Sequence, residues 1–306
     1  QVAGQVAGQV AGQVAGQAWS DGVADYRRGD LATAAEVFRP LAEQGDTEAQ
    51  YNLGVLYTRG DGVVQDFAEG LKWFRSAAER GNPLAQVALG YAYANGQGVI
   101  RDDDEAATWY RKAAEQGYSA GQAGLAFLYA TGQGVARDYD AAAKWYRQAA
   151  EQGYGLAQAG LAELYTRGEG VPTDYAQAAA WYRQSAERGY AQGMAGLGYL
   201  YATGKGVPQE DFTAHLWLNL AAAKGDGNAA RARDIVARRL APEHLEAAEQ
   251  FAMAWRPSAS CPVVSTPLPC WTWVCQARMD WMCCRRCAAV PGCRARVGEG
   301  TPCRAR

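Results

Sequence analysis

Five tryptophans, Trp73, Trp109, Trp145, Trp181 and Trp217, stand 36 residues apart without a slip. Gly81, Gly117, Gly153, Gly189 and Gly225 keep the same step, as does a Gly-x-Gly-Val signature beginning at Gly60, Gly96, Gly132, Gly168 and Gly204. A fixed period of this length marks a solenoid, in which each unit buries its apolar face only by stacking on its neighbours. It directs the search for function to a surface repeated along the stack and away from a single catalytic pocket.

Composition sharpens this only when the chain is divided. The net charge of −2 over 306 residues gives no argument for nucleic acid or an anionic membrane as partner. Yet residues 257–306 hold seven Arg against Asp280 and Glu299, a balance of +5, which leaves −7 for residues 1–256. All eight cysteines also fall in that last segment, so the repeat body does not depend on the redox compartment. No stretch approaches the roughly 18 apolar residues that suggest a membrane span.

Residues 1–16 are four copies of Gln-Val-Ala-Gly, a low-complexity leader expected to be disordered. Residues 17–45 read as an N-terminal capping helix pair with a tight Arg28-Gly29-Asp30 turn. Five full units follow over 46–225, and 226–256 reads as two C-terminal capping helices broken near Pro242. In the first full unit Ala49, Leu53, Leu56 and Tyr57 form the stripe of an amphipathic helix, which Gly60 should end in the left-handed conformation. A second helix should open at Asp66, Asp102, Asp138 and Asp174, whose carboxylates can accept from first-turn amides. Glu69, Glu105 and Gln177 sit where a capping box needs them, whereas the fifth unit is irregular at Glu210-Asp211.

The pattern Ala49-x3-Leu53-Gly54-x2-Tyr57-x2-Gly60-x-Gly62-Val63, then Trp73-Phe74-x2-Ala77-Ala78-Glu79-x-Gly81, resembles the Sel1-like repeat, a relative of the tetratricopeptide repeat. The resemblance covers residues 19–255. It implies an all-α fold, a right-handed α-solenoid of antiparallel helix pairs with a concave face, and a role as a protein–protein adaptor, often in bacterial envelope processes, signalling or host contact. One branch of that family carries a cysteine pair in each repeat and is linked to β-lactam binding or hydrolysis; the repeats here contain no cysteine.

Gly54, Gly90 and Gly198, with Ala126 and Ala162, share one helix-interior position. Glycine there costs about 1 kcal/mol relative to alanine, so close approach of helices must offset it. The tryptophans are expected to fill the wedge between those helices as core residues. Positions that vary between copies are free to specialise, and one of them reads Val55, Tyr91, Phe127, Glu163 and Tyr199. Its helical neighbours are small in the middle units, namely Ala88, Ala123, Gly124, Ala159, Gly160, Ala195 and Gly196. Aromatics over such a floor would form a groove for an extended or helical peptide, with Tyr91, Phe127, Glu163 and Tyr199 as anchors and Tyr51, Arg59, Asn95 and Arg167 on the rim. Packing of the same aromatics against the next repeat is the competing expectation.

Motifs for chemistry are sparse. His215 and His244 stand apart from any paired ligand, Gly204-Lys205-Gly206 lacks both the leading Gly and the Ser or Thr of a phosphate loop, and no Ser-x-x-Lys occurs. The Asp102–Glu105 run reads as a helix cap and a solvated face. The tail at 257–306 reads as disordered or not native, translated in a shifted frame beyond Arg256-Pro257; a disulfide module and a zinc site around Cys284-x2-Cys287 are the alternatives. The expectation is a non-enzymatic scaffold without cofactor, metal or integral membrane segment, binding a protein or peptide and no nucleic acid. A cell-wall or β-lactam enzyme, or a redox or metal sensor using the tail, are the other classes. Ala15-Gly16-Gln17-Ala18 resembles the surroundings of a signal-peptide cleavage site, which favours the periplasm or the exterior over the cytoplasm.

Overall fold

The computed structural model describes residues 16–255, so the leader at 1–16, save its last residue, and the tail at 257–306 lie outside the described residues. Helices occupy most of the described residues, and no strand occurs among them. Helix α1 covers 16–28 and pairs with α2 (Leu31–Glu43). The five repeats then supply α3 (Thr47–Arg59) and α4 (Phe67–Glu79), α5 (Pro83–Asn95) and α6 (Asp103–Glu115), α7 (Ser119–Thr131) and α8 (Tyr139–Glu151), α9 (Gly155–Arg167) and α10 (Tyr175–Glu187), α11 (Ala191–Thr203) and α12 (Asp211–Ala223). Helices α13 (Gly227–Ala237) and α14 (Pro242–Ala254) close the stack, with Pro242 in the first turn of α14, where its missing N–H costs nothing.

Local signals set the helix ends. The carboxylates of Asp66, Asp102, Asp138 and Asp174 accept from amides in the first turns of α4, α6, α8 and α10. Glu210, at the same place before α12, makes no such bond. Gly60, Gly96, Gly132, Gly168 and Gly204 all stop the first helices in the left-handed conformation.

Neighbouring repeats are tied by three recurring contacts. Arg39, Arg147 and Arg183, on second helices, donate to the hydroxyls of Tyr57, Tyr165 and Tyr201 on the next first helix, at 2.7, 3.2 and 2.8 Å, and Arg75 does so to Tyr93. Gln50, Gln86 and Gln158 are buried and donate Nε2–H to the carbonyls of Ala42, Ala78 and Ala150 at the end of the preceding helix. Each of those carbonyls also accepts from the glycine amide of the turn that follows its helix, so the glutamine adds a second bond that joins the two repeats. The third contact explains the second glycine of each loop. At Gly134, with φ +63°, a Cβ would fall 1.9 Å from the carbonyl oxygen of Asp103, and Gly170 and Gly206 approach the backbone of Tyr139 and Tyr175 in the same way.

First helices α5, α7, α9 and α11 touch one another from repeat to repeat, whereas the second helices α4, α6, α8, α10 and α12 make less contact with one another. Closer spacing on one side curves the stack, so the first helices line the inner, concave face.

Gly134→Ala should therefore lower stability by about 3 kcal/mol or more, through strain and collision with Asp103. Gly117→Ala, with φ +82° but open space around it, should cost only about 1–2 kcal/mol, the left-handed penalty. Chemical denaturation of the two variants, followed by circular dichroism, checks the ordering.

Candidate functional site

The concave face is shaped by rings that come through from behind it. Tyr110 leaves α6 and lies between α5 and α7: a Cβ at Gly90 would sit 2.8 Å, and one at Gly124 2.7 Å, from its ring. Tyr146 and Tyr182 lie on Gly160 and Gly196 in the same way, Phe74 on Gly54, and the Leu218 side chain on Gly198. This corrects two expectations. The side chain seated on the helix glycines is the residue after each tryptophan. The tryptophans pack elsewhere: Trp73 joins the cluster of α2 and α3, and Trp109 that of α4 and α5. Trp109 and Trp217 are buried; Trp73, Trp145 and Trp181 are partly buried against the core. Second, the small-residue floor is not open, since rings occupy Gly124, Gly160 and Gly196, and Ala123 and Ala159 are buried.

Burial in these seats disfavours the phenolate. It pushes the Tyr182 hydroxyl up to about 12 and raises those of Tyr110 and Tyr146 further. The Glu163 carboxylate adds to the effect on both Tyr146 and Tyr182. All three therefore present neutral hydroxyl groups at physiological pH, and Glu163 lies close to two of them.

Above this floor stands the variable column. Tyr91, Phe127 and Tyr199 are 52, 51 and 55% exposed, so none is consumed in packing against the next repeat. Val55 is only partly buried but packs against the Phe74 cluster, and the exposed column begins at Tyr91. Glu163 is exposed and meets Arg167 at 2.5 Å; Arg167 also lies 3.9 Å from Glu169. Such an exposed pair adds little stability. Asn95, also exposed, donates to the carbonyl of Tyr91 at 2.9 Å. Arg59 is exposed, and Tyr51 is half-buried with its ring centre 5.7 Å from that of Phe74. Tyr91, Phe127, Glu163 and Tyr199 thus share one face along α5, α7, α9 and α11, while Tyr51 and Arg59 belong to the outlying α3.

Two sets of residues on this face escaped the sequence reading. Leu84 and Leu156, 36 and 43% exposed, lie two turns before Tyr91 and Glu163 on the same helical stripe. Their signal was the i, i+7 spacing. Tyr118, Tyr154 and Tyr190 occupy the N-cap positions of α7, α9 and α11 without making a side-chain cap bond, where Asp46 and Asn82 cap α3 and α5. The Tyr190 ring lies on Gly155, and burial raises the Tyr118 and Tyr154 hydroxyls. The change from capping residues to tyrosine was legible and marks a row of rings along one edge.

Elsewhere the chemistry is structural. Asp102 caps α6 and Asp103 takes a two-pronged bond from Arg101 at 2.9 and 2.8 Å. A depression between α6 and α8, lined by Arg111, Tyr129, Arg137, Asp138, Tyr139 and Asp140, mixes both charges. No group of three or more His, Cys, Asp or Glu among the described residues is placed to hold a metal ion. His244 is exposed, whereas His215 is 2% exposed and its Nδ1 makes no hydrogen bond within the described residues.

A family model for the Sel1 repeat matches residues 47–82, 83–118, 119–154, 155–190 and 191–226. A solved Sel1 repeat protein from Oxalobacter formigenes is 32% identical over 77% of this chain and 98% of its own, with a TM-score of 0.65. A protective antigen of uropathogenic Escherichia coli strains, displaying an SLR fold, is 34% identical over 78% of this chain with a TM-score of 0.63. The match spans 54% of that antigen's length. No curated protein matches the chain.

Burial holds the His215 pKa below its ordinary value of 6.5, with Arg233 acting in the same direction and Glu249 and Asp234 opposing. The unfolded chain therefore binds more protons just below pH 6.5, and stability present above that value is lost as pH falls through the folded pKa. Thermal melts between pH 7.5 and 5 should show this loss, and His215→Leu should remove that component of it.

Proposed function

The chain belongs to the Sel1-like repeat family, whose members are generally protein-interaction scaffolds and typically non-enzymatic, and from that premise we propose that it binds a protein or peptide segment along the concave face of α5, α7, α9 and α11. The observation that carries this reading is the row of half-exposed rings Tyr91, Phe127 and Tyr199 at one position of the first helices α5, α7 and α11, with Glu163 at that position of α9. About half of each ring is left in water although the stack buries the neighbouring side chains, and exposed aromatic surface recurring on one face is the kind that marks an interaction site. Leu84 and Leu156 extend the apolar area, and Asn95, Arg167 and Arg59 supply a polar rim. The groove is preformed by the buried rings of Tyr110, Tyr146 and Tyr182, so binding energy is not spent on ordering the receptor.

The test is a paired capture. The protein and its Tyr91→Ala/Phe127→Ala/Tyr199→Ala variant are presented to the same lysate, and partners are confirmed by titration of the purified pair. A specific partner should lose about 2–4 kcal/mol of affinity in the variant, the scale of truncated interface anchors. Equal binding by both proteins would remove the concave face as the site, and circular dichroism of the variant checks that its helical stack is intact.

A further inference from the structure

The column Tyr91, Phe127, Glu163, Tyr199 contains one charge, and its setting constrains the occupant. Any segment that spans from Phe127 to Tyr199 must cross α9 and cover Glu163. Covering a carboxylate with an apolar side chain removes its water without replacement, and an acidic side chain would be repelled. Arg167 does not discharge the site, because it stands between Glu163 at 2.5 Å and Glu169 at 3.9 Å, leaving two carboxylates to one guanidinium. The buried hydroxyls of Tyr146 and Tyr182 beside Glu163 are neutral and leave the imbalance in place.

Spacing and rim chemistry limit the occupant's conformation. Packed helices lie about 8–10 Å apart, and an extended chain rises about 3.3 Å per residue, so one repeat corresponds to roughly three residues. An extended chain also brings unpaired backbone groups that need polar partners, whereas a helix satisfies its own. One turn beyond the column stand Asn95, Thr131, Arg167 and Thr203. Thr131 and Thr203 donate to the carbonyls of Phe127 and Tyr199, both at 2.9 Å, which leaves their oxygens as acceptors.

Building on the concave-face reading, we propose that the occupant is an extended segment of a partner protein with one Lys or Arg seated on Glu163. An apolar side chain lies about three residues to either side, one on Phe127 and one on Tyr199. The recognised pattern is apolar, two spacers, basic, two spacers, apolar.

A display library of random peptides, selected separately on the full chain, on Glu163→Lys and on the Tyr91/Phe127/Tyr199→Ala variant, tests this directly. Peptides enriched on the unaltered chain should share that pattern. Their synthetic forms should bind Glu163→Lys at least about tenfold more weakly, and replacing their basic residue by an acidic one should restore binding to that variant. Enriched peptides that need the three aromatics but have no basic centre, or bind Glu163→Lys unchanged, overturn the charge inference and leave the groove standing. Enrichment indifferent to the aromatics, or no enrichment at all, overturns both. Because Glu163 and Arg167 are exposed, the charge reversal should leave the melting curve in place, which separates lost recognition from lost fold.

Discussion

Everything on the concave face depends on a ring from one helix lying against glycine on another. Tyr110 meets Gly90 of its own repeat and Gly124 of the next, so a single phenol sets the separation of α5 and α7. A methyl group on either glycine would fall inside the ring's van der Waals surface. Tyr146 and Tyr182 repeat the contact at Gly160 and Gly196, but on their own side they meet Ala126 and Ala162 within the core. The helix-propensity cost of these glycines, about 1 kcal/mol each, is offset by burying most of an aromatic side chain, which contributes about 1.5–3 kcal/mol. Since the rings insert from the second helices, the inner helices approach each other closely while the outer ones are held apart, and curvature follows.

The division of labour between adjacent residues on the second helix explains why part of this was legible and part was not. The constant tryptophan drew attention because it never changes, and it does lie against core in every repeat. The next residue, Phe74, Tyr110, Tyr146, Tyr182 or Leu218, varies in kind, so periodicity alone did not single it out. A rotation of about 100° per residue turns it toward the following repeat while tryptophan turns back. Glycine caps, aspartate N-caps and repeat lengths were legible because each depends on one or two residues and a local backbone requirement. The glycine floor was misjudged because a pattern of small residues records space without recording what fills it.

The second glycine of each loop shows the same limit. Its positive φ was foreseeable from the turn, but the approach of the Gly134 backbone to Asp103 joins residues 31 positions apart in sequence and appears only when repeats are stacked. The buried glutamines are similar. Gln86 and Gln122 read as ordinary polar positions on a helix, yet each is buried, serves a carbonyl of the preceding helix and accepts from Gln116 or Gln152 at 2.8 Å. Recurrence at every 36th residue until Met194 was the available signal.

Because the seats, loops and glutamines supply the recurring inter-repeat contacts, the half-exposed column carries a smaller share of the stacking energy. In a nearest-neighbour array, that frees each of its positions to change without propagating strain along the chain. Val55 shows the boundary of this freedom, since it packs beside Phe74 and is held to a size that fits, whereas Phe127 and Glu163 occupy the equivalent place one repeat apart with opposite chemistry. On the proposed reading, such a surface would meet its partner as a string, one subsite per repeat, and a single departure in the string would carry more selectivity than the aromatics that surround it. Three exposed rings would accept most apolar side chains of such a partner, whereas a carboxylate at Glu163 would lose its water to all of them, and that asymmetry is what makes the one charged position the selective one.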